Sequence, residues 1–271
     1  MLRVRKRAEA LGVKALTIQK SLGISSAYWS QVANYRGVLT EENLRKLLDL
    51  LEFDTEERDE LLGLRTIAKS RGWWNEYSAL FNDELIRFFG LEDGAVSIRS
   101  VESGVIPGLL QTEDYIRALL SSPLSTGRPT EIGQRTRARL QRQRRFDEPE
   151  PLQLSVIIGQ AALMQQIGGS QIQQEQLRHL LRLADQHSGT LDIRVQPFTG
   201  ASLNASTFHL LDFESPRLPT LGWLETAIYG ETVYDHKRVE TLDYLYRRVE
   251  SIALDRDESA RLIDQIASRI V

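Results

Sequence analysis

The chain has 271 residues, of which 41% are hydrophobic and 26% charged, with a formal net charge of -3 and no cysteine. This composition is typical of one large or two smaller folded domains, and it excludes disulfides, thiolate metal sites and cysteine nucleophiles. No run of ~18 apolar residues is present and no apolar core follows the first methionine, so we predict neither a membrane span nor a signal peptide and expect a cytoplasmic protein.

Charge is unevenly distributed along the chain. Residues 1–36 contain seven Lys and Arg side chains and one acid, Glu9, which gives this segment a net charge of +6 and leaves -9 for the remainder. A basic segment on an acidic chain can provide electrostatic attraction to the phosphates of a nucleic acid. The alternative is that these charges are simply solvated, because short charged faces usually are.

Apolar residues at helical spacing, separated by glycines and capping residues, predict five short helices in the first part of the chain. The predicted helices span Leu2–Leu11, Ala15–Leu22, Ser25 to about Tyr35, Glu41–Leu51 and Asp54–Ile67. Gly23 is expected to adopt a left-handed conformation at the end of the second helix. Ser25, Thr40 and Asp54 are expected to cap the third, fourth and fifth helices.

The polar segment 68–72 is the predicted boundary between an all-α domain, residues 1–68, and an α/β domain, residues 73–271. Beyond it the predicted helices are Trp73–Phe89, Glu113–Leu120 after the cap Thr112, Glu131–Phe146, Ala161–Ile167, Ile172–Gln186, Tyr234–Ala253 and Asp257–Ile270. The predicted strands are Ala95–Val101, Leu154–Ile158, Leu191–Val195, Phe208–Phe213 and Leu221–Glu225. This order implies a mixed sheet with helices packed on it.

Residues 15–34 have the pattern of two short helices joined by a sharp turn at Gly23. Apolar residues occupy the inward positions on both sides of the turn: Ile18, Leu22, Ile24, Trp29 and Val32. Polar side chains on the second of these helices can hydrogen-bond to base edges in the major groove of double-stranded DNA. The candidate DNA-binding residues are Ser25, Ser26, Tyr28, Ser30, Gln31 and Asn34, with Lys20 and Arg36 as candidate phosphate contacts.

Over about the first 65 residues, this pattern resembles the Xre-type helix-turn-helix regulators. The chain departs from that family at Gln19, where a small residue is usual, and at Ala15, where a phosphate-contacting glutamine is frequent. The alternative interpretation of the same residues is a five-helix bundle without a DNA-binding function.

A second resemblance begins at residues 105–115, whose sequence VIPGLLQTEDY is similar to the hallmark of a domain that follows such modules in actinobacterial, WhiJ-type regulators. Further similar segments lie at residues 139–143, 162–163, 168–169, 176–177 and 195–198. This resemblance implies a regulator of development or secondary metabolism that is often paired with a small partner protein. At Gln160-Ala161 the chain lacks the acid that the pattern usually has.

No recognisable catalytic motif occurs in the sequence. The histidines (His179, His187, His209 and His236) are dispersed, and no P-loop, dinucleotide fingerprint or nucleophile elbow occurs. We therefore expect no enzyme activity, no catalytic residues, no metal and no cofactor. Six arginines between residues 135 and 145 could hold a phosphate or an acidic partner, but solvation or pairing with surface acids is the favoured interpretation.

Together these patterns predict a sequence-specific transcription regulator that binds double-stranded DNA as a homodimer through its third helix and binds an effector or partner through its C-terminal domain. The alternative is an antitoxin- or immunity-like interaction protein that holds a small partner protein and autoregulates its operon. A neighbouring open reading frame for a small protein would favour this alternative.

Overall fold

The computed structural model divides the chain into two compact units, Met1–Asn75 and Glu76–Val271. It describes residues 1–34, 37–69, 72–123, 125, 127–198, 207–215, 218–226 and 230–270. Within these ranges, no helix combines the length and the apolar character needed to cross a membrane.

The N-terminal unit consists of the helices α1 (Leu2–Ala10), α2 (Ala15–Leu22), α3 (Ser26–Ala33), α4 (Glu41–Leu50) and α5 (Thr55–Lys69). The predicted caps are confirmed, because the side chains of Ser25, Thr40 and Asp54 each accept a backbone N–H three residues on. Gly23 ends α2 with a φ of 66°, as predicted. The expected end of the third helix near Tyr35 lies outside the described residues.

Leucines of α4 form the centre of the N-terminal core. Leu47 and Leu48 are fully buried, as is Leu51 directly after the helix. Their spacing places them on one face of α4, against which the apolar faces of the other helices pack. This shared core fixes α2 and α3 in one unit.

Over its described residues, the C-terminal unit is a six-stranded mixed sheet with helices, which confirms the predicted α/β architecture of this part of the chain. Its strands are β1 (Ser97–Glu102), β2 (Gln153–Gly159), β3 (Leu191–Gln196), β4 (Phe208–Asp212), β5 (Leu221–Glu225) and β6 (Gly230–Val233). Its α-helices are α6 (Asp83–Asp93), α7 (Glu113–Leu120), α8 (Ile132–Gln143), α9 (Gln160–Met164), α10 (Ser170–Gln186), α11 (His236–Glu250) and α12 (Arg256–Arg269). In the described part of this unit, short 3-10 helices span Gly108–Leu110, Pro129–Glu131 and Arg144–Phe146, and another, Trp73–Tyr77, includes the division between the two units.

The strands are arranged in the order β3-β2-β1-β4-β5-β6. β1, β2 and β3 are parallel, whereas β4 pairs antiparallel with β1 and is followed by antiparallel β5 and β6. β1 is therefore the strand at which the sheet changes from parallel to antiparallel pairing. β6 was not predicted, because a four-residue strand offers too short an alternating pattern.

The predicted helix over Trp73–Phe89 is wrong. A 3-10 helix ends at Tyr77, and α6 begins separately at Asp83. The side chain of Asn82 accepts the Leu85 N–H at 2.9 Å and caps this new helix. Asp83 and Glu84 in its first turn favour the same start, because acids there interact well with the helix dipole.

The conformation of Gly23 allows a direct test of the turn between α2 and α3. A Cβ added at Gly23 meets nothing within 4 Å, so Gly23→Ala costs only the strain of a left-handed residue, about 1 kcal/mol of unfolding free energy. Gly63 in α5 is equally unobstructed but lacks a positive φ, so Gly63→Ala is expected to stabilise by ~0.5–1 kcal/mol. Urea unfolding followed by circular dichroism measures both changes, and equal effects of the two substitutions would contradict this account of the turn.

Candidate nucleic-acid interface and a buried charge cluster

The predicted inward face of α2 and α3 is confirmed. Ile18 and Leu22 of α2 and Trp29 and Val32 of α3 are all buried in the core of the N-terminal unit. Ile24, in the connection between the helices, is partly buried and packs against the same core. The opposite face of α3 is consequently left on the surface.

Most of the candidate DNA-binding side chains lie on that surface. The exposed ones are Lys20, Ser25, Ser26, Ser30, Gln31 and Asn34, while Arg36 lies outside the described residues. Ser25 is also the cap of α3, with its hydroxyl accepting the Tyr28 N–H at 3.1 Å. The Asn34 amide donates to the Ser30 hydroxyl at 3.3 Å, so these two side chains support each other at the end of the helix.

Tyr28 differs from the other candidates. Its ring is partly buried against the core, and its hydroxyl donates to the Val38 carbonyl at 3.1 Å. The hydroxyl therefore links α3 to the segment before α4. A tyrosine held in this way offers mainly its exposed edge to a ligand.

Arginines of α1 hold the N-terminal unit together. Arg3 pairs with Glu57 at 3.0 Å and Glu60 at 2.9 Å, and its side chain is 11% exposed. Arg7 donates to the backbone carbonyls of Leu51 and Glu52 at 3.1 and 2.8 Å. Arg5 donates to the Ala33 carbonyl at the end of α3. Of the cations that the structure describes in residues 1–34, the three arginines of α1 thus have structural partners within the unit.

The positive charge of the N-terminal unit is smaller than that of its first 36 residues. Residues 1–75 contain thirteen Lys and Arg against ten Asp and Glu, a net charge of +3, which leaves -6 for residues 76–271. The difference arises because most of the acids of the unit lie in α4 and α5. Among the described residues from 1 to 34, the exposed cations are Lys6, Lys14 and Lys20, so these carry the positive charge that remains on the surface.

A second polar site lies inside the C-terminal unit and centres on an ion pair between α6 and α8. Arg142 Nε and Nη2 donate to the two carboxylate oxygens of Glu92 at 2.6 and 2.8 Å. The side chains are 12% and 4% exposed, and the guanidinium also lies over the rings of Phe88 and Phe89. The favoured interpretation of the arginine run as solvated or surface-paired is therefore wrong for Arg142.

Next to this ion pair, Glu102 ends β1 in a buried position. Its carboxyl accepts a hydrogen bond from the Thr207 hydroxyl at 3.0 Å and lies 3.6 Å from His209 Nε2. Burial, with the nearby charge of Glu225, raises the pKa of Glu102 to about 8. Burial, with the charge of Arg142, lowers the pKa of His209 to about 3. Both side chains are consequently largely uncharged at neutral pH.

Arg139 lies one helical turn before Arg142 and contacts the segment after β1. Its Nη1 donates to Gln111 Oε1 at 2.8 Å. Burial and the charge of Arg142 lower the pKa of Arg139 to about 10. The side chain nevertheless keeps some solvent-accessible surface. Arg139 is therefore a partly exposed cation whose hydrogen-bond partner is a neutral amide.

Side chains within residues 105–115 and those of Gln143 and Gln176 form the hydrogen bonds that fix the segment after β1 in place. Gln111 donates to the Ile106 carbonyl at 2.6 Å, and the Ile106 N–H donates to the hydroxyl of Tyr115 at 3.2 Å. Gln143 donates to the carbonyls of Gly108 and Gln111 at 3.1 and 2.8 Å. Gln176 of α10 fixes the same segment, because it accepts the Thr112 N–H and donates to the Leu110 carbonyl, both at 2.7 Å. The sequence pattern identified this segment but not its partners.

Residues 85–265 match the model of a protein family described as Domain of unknown function (DUF5753). The chain belongs to the DUF5753 family. The matched range contains the sheet, the segment 105–115 and the buried charge cluster, whereas α1 to α5 lie before it. No curated protein and no solved structure matches the chain. Across the described residues of this DUF5753 protein, no three His, Asp or Glu side chains are grouped to hold a metal ion.

Glu102 predicts a dependence of stability on pH. The pKa of Glu102 is about 8 in the folded chain and has its ordinary value of 4.5 in the unfolded chain. Between pH 4.5 and pH 8, therefore, only the unfolded chain releases the proton. The contribution of Glu102 to stability is therefore complete below pH ~4.5 and falls by up to about 4 kcal/mol as the pH rises to 8. The variant Glu102→Gln should lose less stability over this range.

Urea unfolding at several pH values between about 5 and 8 measures this difference. Glu240→Gln, whose carboxyl is 66% exposed, is the control and should follow the unsubstituted chain. The His209 pKa, lowered to about 3 from 6.5, acts in the opposite direction, since its contribution is lost as the pH falls below 6.5. Parallel curves for Glu102→Gln and the unsubstituted chain would refute the raised pKa.

Proposed function

We propose that this DUF5753 protein is a transcription regulator that binds double-stranded DNA through the N-terminal unit and an effector or partner through the C-terminal unit. The observation that carries the proposal is the arrangement of α2 and α3. They meet at a left-handed glycine, bury their apolar faces together, and leave a polar face of α3 on the surface. A helix with such a face fits the major groove of B-DNA.

Side-chain geometry favours particular roles within this interface. Ser26 lies in the first turn of α3 and Gln31 more than one turn later, and both are exposed. With the N-terminal half of α3 in the groove, these two side chains reach base edges most directly. The Gln31 amide can form two hydrogen bonds with an adenine, whereas Lys20 and Arg36 are suited to phosphates.

The family supports the same proposal. DUF5753 domains are often found with an N-terminal helix-turn-helix in Xre-like regulators. One such module makes few base contacts, so we infer that the chain acts as a homodimer on two half-sites about one helical turn apart, with the C-terminal unit providing the association.

Gln31→Ala tests the proposed base contact. Loss of a bidentate contact should cost about 1–3 kcal/mol on the duplex upstream of the gene and relax the preference at one base pair. On a scrambled duplex the same variant should bind like the unsubstituted protein. Electrophoretic shift assays with both duplexes measure the difference, and circular dichroism confirms that the variant is folded.

Cation variants supply the matched control. Lys20→Ala should weaken binding to both duplexes alike and flatten the salt dependence, because a phosphate contact carries no sequence information. Lys46→Ala, which removes a cation paired with Glu42 on α4, should change neither affinity. If Gln31→Ala lowers affinity for both duplexes equally, the proposed docking of α3 is wrong.

A further inference from the structure

One face of α11 carries apolar side chains that are exposed to solvent. Tyr244 is 62% exposed and Leu245 is 38% exposed, and Ile252, two residues after the helix, is 41% exposed. The opposite face of the helix is buried through Val239, Leu242, Tyr246 and Val249. Exposed apolar residues are normally scattered singly over a protein surface, whereas a group of them marks an interaction site. The outer face of α11 is therefore a candidate interface.

Two side chains of opposite charge flank Tyr244 symmetrically along this face. Glu240 precedes Tyr244 by four residues and Arg248 follows it by four, so the three side chains form one row along the helix. We name Glu240, Tyr244 and Arg248 the Tyr244 ridge. Glu240 is 66% exposed and lies 3.4 Å from His236 Nδ1. Arg248 is exposed, and within the described ranges no carboxylate lies within 4.0 Å of it. Along the helix, the ridge therefore presents an acid, an aromatic ring and a base in that order.

This order of side chains is complementary to its own reverse. If two copies of α11 lie antiparallel with their Tyr244 rings in contact, Glu240 of each copy lies beside Arg248 of the other. A two-fold axis between the tyrosines generates both ion pairs, as in other symmetric dimers. Rows of residues four positions apart are also the ridges that interlock in the most frequent class of helix packing, with the axes crossing at about -50°. The partner that fits the Tyr244 ridge is thus a second Tyr244 ridge.

The other charges on the exposed side of α11 do not oppose this pairing. Asp243 pairs with Arg247, whose Nε donates to it at 2.9 Å, and also with Arg99 of β1. Lys237 lies seven residues before Tyr244. In an antiparallel pair its two copies are at opposite ends, about 20 Å apart, which exceeds the ~8–10 Å over which exposed charges interact in physiological salt. The Glu240–Arg248 pairs are therefore the charge contacts nearest to the tyrosines.

We propose that two copies of this chain associate through their Tyr244 ridges. The ridge would then form the homodimer of the proposed function, on which this inference rests. A helix face of about 22 Å is smaller than a standard protein interface, so we expect a weak dimer of the free chain, with a Kd of about 10–100 µM. Adjacent half-sites on DNA raise the effective concentration of the two copies to about the millimolar range, where such a dimer is populated. Urea unfolding at about 1 µM protein measures the monomer, so Glu240→Gln remains a control in that experiment.

Sedimentation equilibrium of the full chain without DNA, at about 5–300 µM, tests the ridge separately from DNA binding. Over this range the unsubstituted chain should change from mostly monomer to mostly dimer. Glu240→Arg places like positive charges side by side in the dimer, and Arg248→Glu places like negative charges side by side. Each variant alone should therefore associate at least about tenfold more weakly and remain largely monomeric. Circular dichroism confirms that both variants are folded.

An equimolar mixture of Glu240→Arg and Arg248→Glu is the sharpest measurement. In a mixed pair, each side of the two tyrosines again contains one acid and one base. The mixture should therefore form a dimer with about the affinity of the unsubstituted chain, although each variant alone does not. Arg178→Glu reverses an exposed cation on α10 and is the matched control, which should associate like the unsubstituted chain.

Three results would overturn the proposal. If both single variants dimerise like the unsubstituted chain, another surface forms the dimer, and the homodimer of the proposed function stands without this ridge. If the mixture of the two variants stays monomeric, Glu240 and Arg248 do not meet across the interface. If the unsubstituted chain is still a monomer at about 300 µM, the ridge does not associate at the expected strength. Loss of DNA binding, in contrast, would appear only in the shift assays.

Discussion

The buried ion pair between Arg142 and Glu92 is the interaction on which the C-terminal unit depends. A charge can be buried only if it is paired and hydrogen-bonded, so this bidentate contact fixes α8 against α6. The same helix carries Arg139 and Gln143, which face the segment after β1 and hold it through Gln111. The position of α8 thus determines the course of the segment 105–115.

Much of the fold could be predicted from the sequence because its signals are local. The caps Ser25, Thr40 and Asp54 and the glycine at position 23 each act within one helical turn, and the structure has them as predicted. Central strands with continuous apolar runs, such as β2, were equally visible. The break between Tyr77 and Asp83 was missed, because aromatic periodicity outweighed the capping signal of Asn82.

The candidate sites depended more on partners that are distant in sequence. Helical periodicity separated the buried face of α3 from its exposed face, which placed Gln31 and Ser26 on the surface. It did not show that Arg3 pairs with Glu57 or that Arg142 pairs with Glu92, since each contact joins residues about fifty positions apart. The net charge of residues 1–36 therefore overstates the positive charge that is available to bind phosphates. The ion pairs of the folded structure decide which cations remain exposed.

We assign DNA recognition to the unit with net charge +3 and the binding of an effector or partner to the unit with net charge -6. Its central claim is that α3 binds DNA with sequence preference. The most direct measurement is the affinity of the full chain for the duplex upstream of its gene and for a scrambled duplex, over a range of salt concentrations. We expect affinity for both to fall steeply with salt and the upstream duplex to be preferred throughout. Equal affinity for the two duplexes at every salt concentration would contradict the claim.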